Sequence, residues 1–265
     1  QALTRQWFSL HLPGKADPDL GNMPAGIEVL QAVRHNRKLN RGTHRSNSFR
    51  LVVRELSGDI NALDSVLTGI HEQGVANYFG EQRFGHDDNN FRRAAAWMSG
   101  QGEAPRKPQL RSLWLSAVRS RLFNEVLAER VRRGVWNRLL DGDVLQPEGS
   151  RGLFLAADEP LAEARIAAGE VHPTAPLPGV GGMAASGACA ELEAAVLAPH
   201  SQLIEALQRE GVEAARRATR LPVSALQWQR DANVLTLSFS LPAGAFATTV
   251  LANFLDWNEH VADCE

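Results

Sequence analysis

The stretch Asn77-Tyr78-Phe79-Gly80-Glu81-Gln82-Arg83-Phe84-Gly85 sets an acid, an amide and a guanidinium between two aromatic–glycine steps. Gly80 and Gly85 tolerate positive φ and let another backbone come close, so the segment reads as a shaped loop and not a helix. Its polar residues can contact phosphate or base edges, and its rings can pack or stack. Taken alone, an aromatic–glycine loop of this kind serves equally as a structural turn. What surrounds it decides how the chain is organised.

Before this loop the apolar residues alternate. Residues 4–12 set Phe8, Leu10 and Leu12 on one face, which predicts a strand ended by Pro13-Gly14. Ile27, Val29, Gln31 and Val33 predict a second strand. Residues 47–55 predict a third, with Phe49, Leu51 and Val53 on one face and Arg50 and Arg54 on the other. A helix follows, capped by Asp59, striped by Ile60, Leu63, Leu67 and Ile70, and closed by Gly74.

After the loop the period becomes helical. Asn90 is expected to cap a short helix that Gly100 ends, and residues 110–133 carry Leu113, Ala117, Phe123, Val126 and Leu127 at helical spacing up to Gly134. Residues 141–182 are irregular and rich in Pro and Gly and read as short strands and turns, and 190–220 returns to helix broken near Pro199 and Gly211. Alternation resumes in 226–230 and 234–241 across Asp231-Ala232-Asn233, a hairpin signal, and Phe246, Val250 and Phe254 mark a terminal amphipathic helix. Strands at both ends around a helical middle predict an α+β fold with mixed, mainly antiparallel sheet, one domain being interrupted by an insertion.

At 265 residues the chain is long enough for one large domain or two smaller ones, and 44% hydrophobic with 22% charged residues is ordinary for a globular protein. No apolar run approaches a membrane span, and a cytoplasmic location is expected. Cys189 and Cys264 are far apart and read as two free thiols. Net charge is −2, yet from 29 to 54 there is no acid, while Arg34, Arg37, Lys38, Arg41, Arg45, Arg50 and Arg54 are all basic. A charge run is often just a solvated face. Seven cations unbroken by a carboxylate fit a surface that tracks RNA phosphates. No dinucleotide loop, P-loop or Cys/His ligand cluster is present, so neither cofactor nor metal is expected. A monomer is expected.

Three segments in order carry a resemblance: Asn77 to Gly85; the upstream Arg37-Lys38-Leu39-Asn40-Arg41-Gly42-Thr43-His44-Arg45-Ser46-Asn47-Ser48-Phe49; and the C-terminal Leu241-Pro242-Ala243-Gly244-Ala245-Phe246-Ala247-Thr248-Thr249-Val250. Together they resemble the TruD family of tRNA pseudouridine synthases. The resemblance implies a catalytic domain at 1–73 and 222–265 with a TruD-specific domain inserted at 74–221, and tRNA as partner. It also implies isomerisation of uridine to pseudouridine, at position 13 in the D arm. The family's catalytic Asp stands in a Gly-x-Lys-Asp-Arg/Lys motif directly followed by a segment like Gln1 to Phe8, so it is expected upstream of Gln1, and the chain by itself is expected to be inactive. Asp17, Asp19, Asp59 and Asp87 lie in no matching context and read as turn or cap residues.

The same resemblance implies roles for individual residues. Phe49, in Asn47-Ser48-Phe49, matches the aromatic set against the target uracil. A flipped base loses its stacking neighbours, and a ring can return roughly 1–3 kcal/mol. Phe has no ionisable group, so its work is packing and orientation; periodicity alone would make it a core residue. Asn47, on the same face, can hold a carboxylate or a uracil edge, or can simply be a turn residue. Arg45-Ser46 stands where a Gly-bearing pair is common in the family. Gln82 and Arg83 fall at the domain junction, where they either brace the cleft that tRNA enters or serve as a hinge. Two other readings stay open: a non-catalytic RNA-binding module of the same fold, and an unrelated α+β protein with a basic loop.

Overall fold

The computed structural model describes residues 3–12, 20–40 and 44–256. The chain forms two units, Gln1–Ser46 and Asn47–Glu265. Arg41 and Cys264 lie outside the described residues.

In the first unit no helix or strand forms among the described residues before Ser46. The two strands predicted over 4–12 and 27–33 are therefore absent. Trp7 (64% exposed) and Phe8 (78% exposed) stand on opposite sides of the alternation, and both face solvent. Alternation marks a strand only when a neighbour supplies the hydrogen-bond ladder and one face is covered, and neither condition holds among these residues.

The elements run β1 Ser46–Val53, α1 Ile60–Gln73, β2 Val75–Ala76, α2 Asn89–Met98, α3 Pro108–Arg132, β3 Val144–Pro147, β4 Phe154–Leu155 and α4 Ala162–Ala167. They continue with β5 Val171–Leu177, α5 Gly187–Leu197, α6 Ser201–Arg209, β6 Ala215–Ala218, β7 Arg220–Leu221, β8 Ser224–Asp231, β9 Val234–Pro242 and α7 Ala247–Leu251. The result is α+β with antiparallel pairing wherever the named strands' register is defined.

One sheet has the order β1-β9-β8. α1 covers it, burying Leu63, Leu67 and Ile70 against Leu226, Leu235, Leu237, Phe239 and Leu241. Each such side chain contributes about 1.5–3 kcal/mol on leaving water. The helix begins where its sequence signals it: Asp59 Oδ1 accepts from the backbone N–H of Asn61 at 3.1 Å and of Ala62 at 3.2 Å. It ends at Gly74, whose φ of +70° suits glycine. A Cβ there would also stand 2.5 Å from the Leu221 carbonyl oxygen, so no other residue fits without a shift.

Directly after Gly74, β2 pairs with β7, Val75 opposite Leu221 and Ala76 opposite Arg220. The segment between these strands builds a second sheet, β4-β3-β5-β6. α3 packs on it through Phe123, Val126 and Leu127 against Ala175 and Leu177. Farther along, the same helix meets α2 and α6 through Trp114, Val118 and Leu122, with Ala94, Met98 and Leu207.

Four expectations change in this region. Residues 215–218 are strand and not helix, because β6 pairs along β5 and tertiary pairing overrides the helix propensity of its alanines and arginines. The Pro-rich segment does hold the short strands read there, among them β5, in which Pro173 lacks a donor but its carbonyl accepts from Thr219 N–H at 2.9 Å. It also holds the short helix α4. Asn90 lies inside α2, whose cap is Asp88 at φ +58°, and Leu113 is exposed while the rest of its stripe is buried.

Candidate functional site

β1 carries Phe49 because its side chains alternate. Asn47, Phe49, Leu51 and Val53 are half-buried on one face; Ser48, Arg50 and Val52 are exposed on the other. Phe49 packs against the core through Phe239, ring centroids 5.6 Å apart. It also lines an open depression of about 420 Å³ with Ser48, Arg50, Ala225, Gln227, Ser238, Phe239 and Ser240. A β-bulge shapes that depression: β8 and β9 lose register between Ser224 and Gln227, and Ala225 sits at φ +52°. Bulges re-aim side chains and recur beside active sites. Asn47 stands two residues from Phe49 on the same face but does not line the depression. Neither Arg45 nor Ser46 takes positive φ, so the missing Gly of the family pattern is not needed for a left-handed turn at these two residues. Among the described residues no carboxylate lines the depression.

The 77–85 loop is built around a buried amide and a ring. Asn77 Nδ2 donates to the Ala218 carbonyl at 2.7 Å, and its Oδ1 accepts from Arg217 Nη2. Asn124, on α3, holds the backbone of Phe79: Oδ1 accepts from the Phe79 N–H and Nδ2 donates to the Phe79 carbonyl, both at 2.9 Å. Two guanidiniums lie over the Phe79 ring, Arg217 at 4.2 Å and Arg83 at 5.2 Å from its centroid. Arg83 Nη1 donates to Ser116 Oγ at 3.1 Å. Burial, reinforced by the Arg83 charge, pushes the Arg217 guanidinium down to about 10, which leaves it a cation at neutral pH. Gln82 lies on the exposed turn Glu81–Arg83.

Sequence reasoning named Gln82 and Arg83 but missed Arg217 and Asn124. Neither stands near the loop in sequence, and no local pattern around them signals the contact. The cations Arg34, Arg37 and Lys38 lie in the first unit and are exposed. The Arg37 backbone N–H donates to His35 Nδ1 at 3.1 Å, fixing a tight local bend. Among the described residues no group of three or more His, Cys, Asp or Glu is arranged to hold a metal ion.

An aromatic that lines an open depression and, separately, two cations set over a ring are features that suit contact with RNA bases and phosphates. Comparison with known proteins gives the family. The family model described as tRNA pseudouridine synthase D (TruD) matches residues 1–101 and 103–254. A tRNA pseudouridine synthase D of Azotobacter vinelandii is 49% identical over 258 residues, covering 97% of this chain and 73% of that protein. The protein of the same name from Hydrogenovibrio crunogenus is 42% identical over 258 residues, with 97% and 74% covered. A crystal structure described as a tRNA pseudouridine synthase D from Methanosarcina mazei superposes with a TM-score of 0.70 at 21% identity, over 85% of this chain and 72% of that one, and so shares the fold. The chain belongs to the TruD family of tRNA pseudouridine synthases.

Proposed function

We propose that this protein isomerises uridine 13 in the D arm of tRNA, acts as a monomer, and sets Phe49 against the target uracil with Asn47 beside it. The reaction breaks the N1–C1′ bond, turns the uracil and joins C5 to C1′. Atoms and oxidation state are conserved, so the residues have to flip, hold and turn a base, with a carboxylate to attack or stabilise the sugar. The observation that carries the reading is that Phe49, half-buried and with its ring against Phe239, lines the depression. Ser48, Gln227, Ser238 and Ser240 supply hydrogen-bonding groups around it.

The remaining assignments follow from the same reading. Residues 1–73 and 222–265 form the catalytic domain and 74–221 the inserted domain. The β2–β7 pair supports that division, since it ties the two ends of the insertion together at Val75 and Leu221. Arg34, Arg37, Lys38 and Arg41 track tRNA phosphates, and Gln82 and Arg83 contact RNA at the junction. The alternative is a non-catalytic RNA-binding module of the same fold.

The two are separated in cells that carry this gene. Deleting it should abolish pseudouridine at position 13 of tRNA, mapped by carbodiimide labelling and primer extension, and the wild-type gene should restore it. Persistence of pseudouridine 13 after deletion would sink the assignment.

A further inference from the structure

Other arginines enclosed in the fold find carboxylate or carbonyl partners, although the Nε atoms of Arg119, Arg121 and Arg220 are, like that of Arg217, buried without an acceptor. Arg130 pairs with Asp143, Arg216 with Glu193 and Arg121 with Asp88. Arg119 donates to the carbonyls of Leu177 and Glu213, and Arg220 to those of Ile166 and Glu72. Arg83 and Arg217 differ. Among the described residues neither pairs with a carboxylate; one donates to Ser116 and the other to Asn77. Arg217 Nε is buried with no acceptor. The two cations share the Phe79 ring, and burial, with the Arg83 charge adding to it, depresses Arg217. A partly buried cation without an anion is costly, and two beside one another more so. Asn77 and the Asn124 clamp on Phe79 hold the pair in place regardless of that cost.

We infer that Arg83 and Arg217 form one anion site, which takes a backbone phosphate of the bound RNA. Guanidiniums match phosphate oxygens with paired N–H donors, and a dianionic or monoanionic group between them relieves both the desolvation and the repulsion. The inference rests on tRNA being the substrate, and it assigns a contact that lies on β6 of the insertion as well as on the 77–85 loop.

Two probes test it. Inorganic phosphate, compared with chloride at matched ionic strength, should raise the melting temperature of the wild-type chain and of a control at an exposed arginine of α6, Arg209→Gln, but not of Arg83→Gln. An equal rise in all three would overturn the site. For tRNA, the plot of log K against log salt should be shallower by about 0.7–0.9 for the double variant Arg83→Gln/Arg217→Gln, the loss of one phosphate contact. Affinity should fall about tenfold or more. An unchanged slope overturns the inference, and a loss twice as large replaces one shared phosphate by two separate contacts. Arg217→Gln leaves Asn77 without its donor; if that variant does not fold, Arg83→Gln, which loses only the Ser116 bond, decides the slope. Failure here is distinct from failure of the proposed reaction. A chain that binds tRNA with an unchanged slope loses the phosphate site alone, whereas pseudouridine 13 surviving gene deletion removes the reaction alone.

Discussion

The side-chain amide of Asn124 holds the backbone of Phe79 on both sides, accepting from its N–H and donating to its carbonyl at 2.9 Å each. The clamp joins α3 to the 77–85 loop and sets the ring over which Arg83 and Arg217 lie. Asn124→Leu removes both bonds and leaves two part-buried backbone groups unpaired, at about 1–3 kcal/mol each. The expected result is a loss of about 2–5 kcal/mol in denaturant unfolding. A loss under about 0.5 kcal/mol, the usual range for an unremarkable surface site, would mean that the loop holds its shape without the clamp.

Arg130 and Asp143 form a fully buried bidentate pair, with Nη1 to Oδ1 at 2.7 Å and Nη2 to Oδ2 at 2.9 Å. Asp143 Oδ2 also accepts from the Leu140 N–H at 2.8 Å, so the pair ties the end of α3 to the start of β3. Arg130→Met strands a buried carboxylate and is expected to cost about 3–5 kcal/mol. The double variant Arg130→Met/Asp143→Leu should lose less than the two single changes added together, which a double-mutant cycle measures. Strict additivity would contradict a coupled pair.

Cys189 lies beside that pair, and burial together with the Asp143 and Glu193 charges pushes its thiol well above the usual range. The thiolate is the reactive form, so Cys189 should be inert in the folded protein. In a Cys264→Ser background, a thiol reagent at pH 8 is expected to label less than a tenth of the protein until denaturant is added. Prompt stoichiometric labelling of the native protein would show that the cluster opens.

Glu148 is held below its usual range chiefly by a hydrogen bond with His172, with the charges of His172 and Arg220 adding to it against the opposing effect of burial. A carboxylate depressed on folding contributes stability that is present above its unfolded value, near 4.3, and lost as pH falls through the folded value. Melting temperature should therefore fall as pH drops below about 5, and fall less steeply in Glu148→Gln. An identical acid slope in the variant would place the effect elsewhere.

What could be read from sequence was what neighbouring residues encode. Asp59, Gly74 and the stripe between them specify α1 because cap and period are local. The alternation of Leu235, Leu237, Phe239 and Leu241 gave β9 because one face lies on a core that α1 completes. Phe8, Leu10 and Leu12 alternate just as well, yet no described neighbour pairs with them. Ala215-Arg216-Arg217-Ala218 favours helix locally and becomes strand only because β5 lies alongside. At the candidate site, Phe49 and Arg83 were visible through motifs. Arg217 and Asn124 were not, since each reaches the 77–85 loop across a long sequence separation.

The most direct test of Phe49 as the uracil-facing ring compares two quantities for Phe49→Ala in the active enzyme: the single-turnover rate of pseudouridine formation and the tRNA dissociation constant. The ring meets one base while the cations hold the backbone, so the rate should fall at least tenfold, the equivalent of about 1–3 kcal/mol of stacking. Affinity should change by no more than about threefold, because phosphate contacts dominate binding. Equal losses in rate and affinity, with a lowered melting temperature, would contradict the assignment and leave Phe49 as a core residue packed on Phe239.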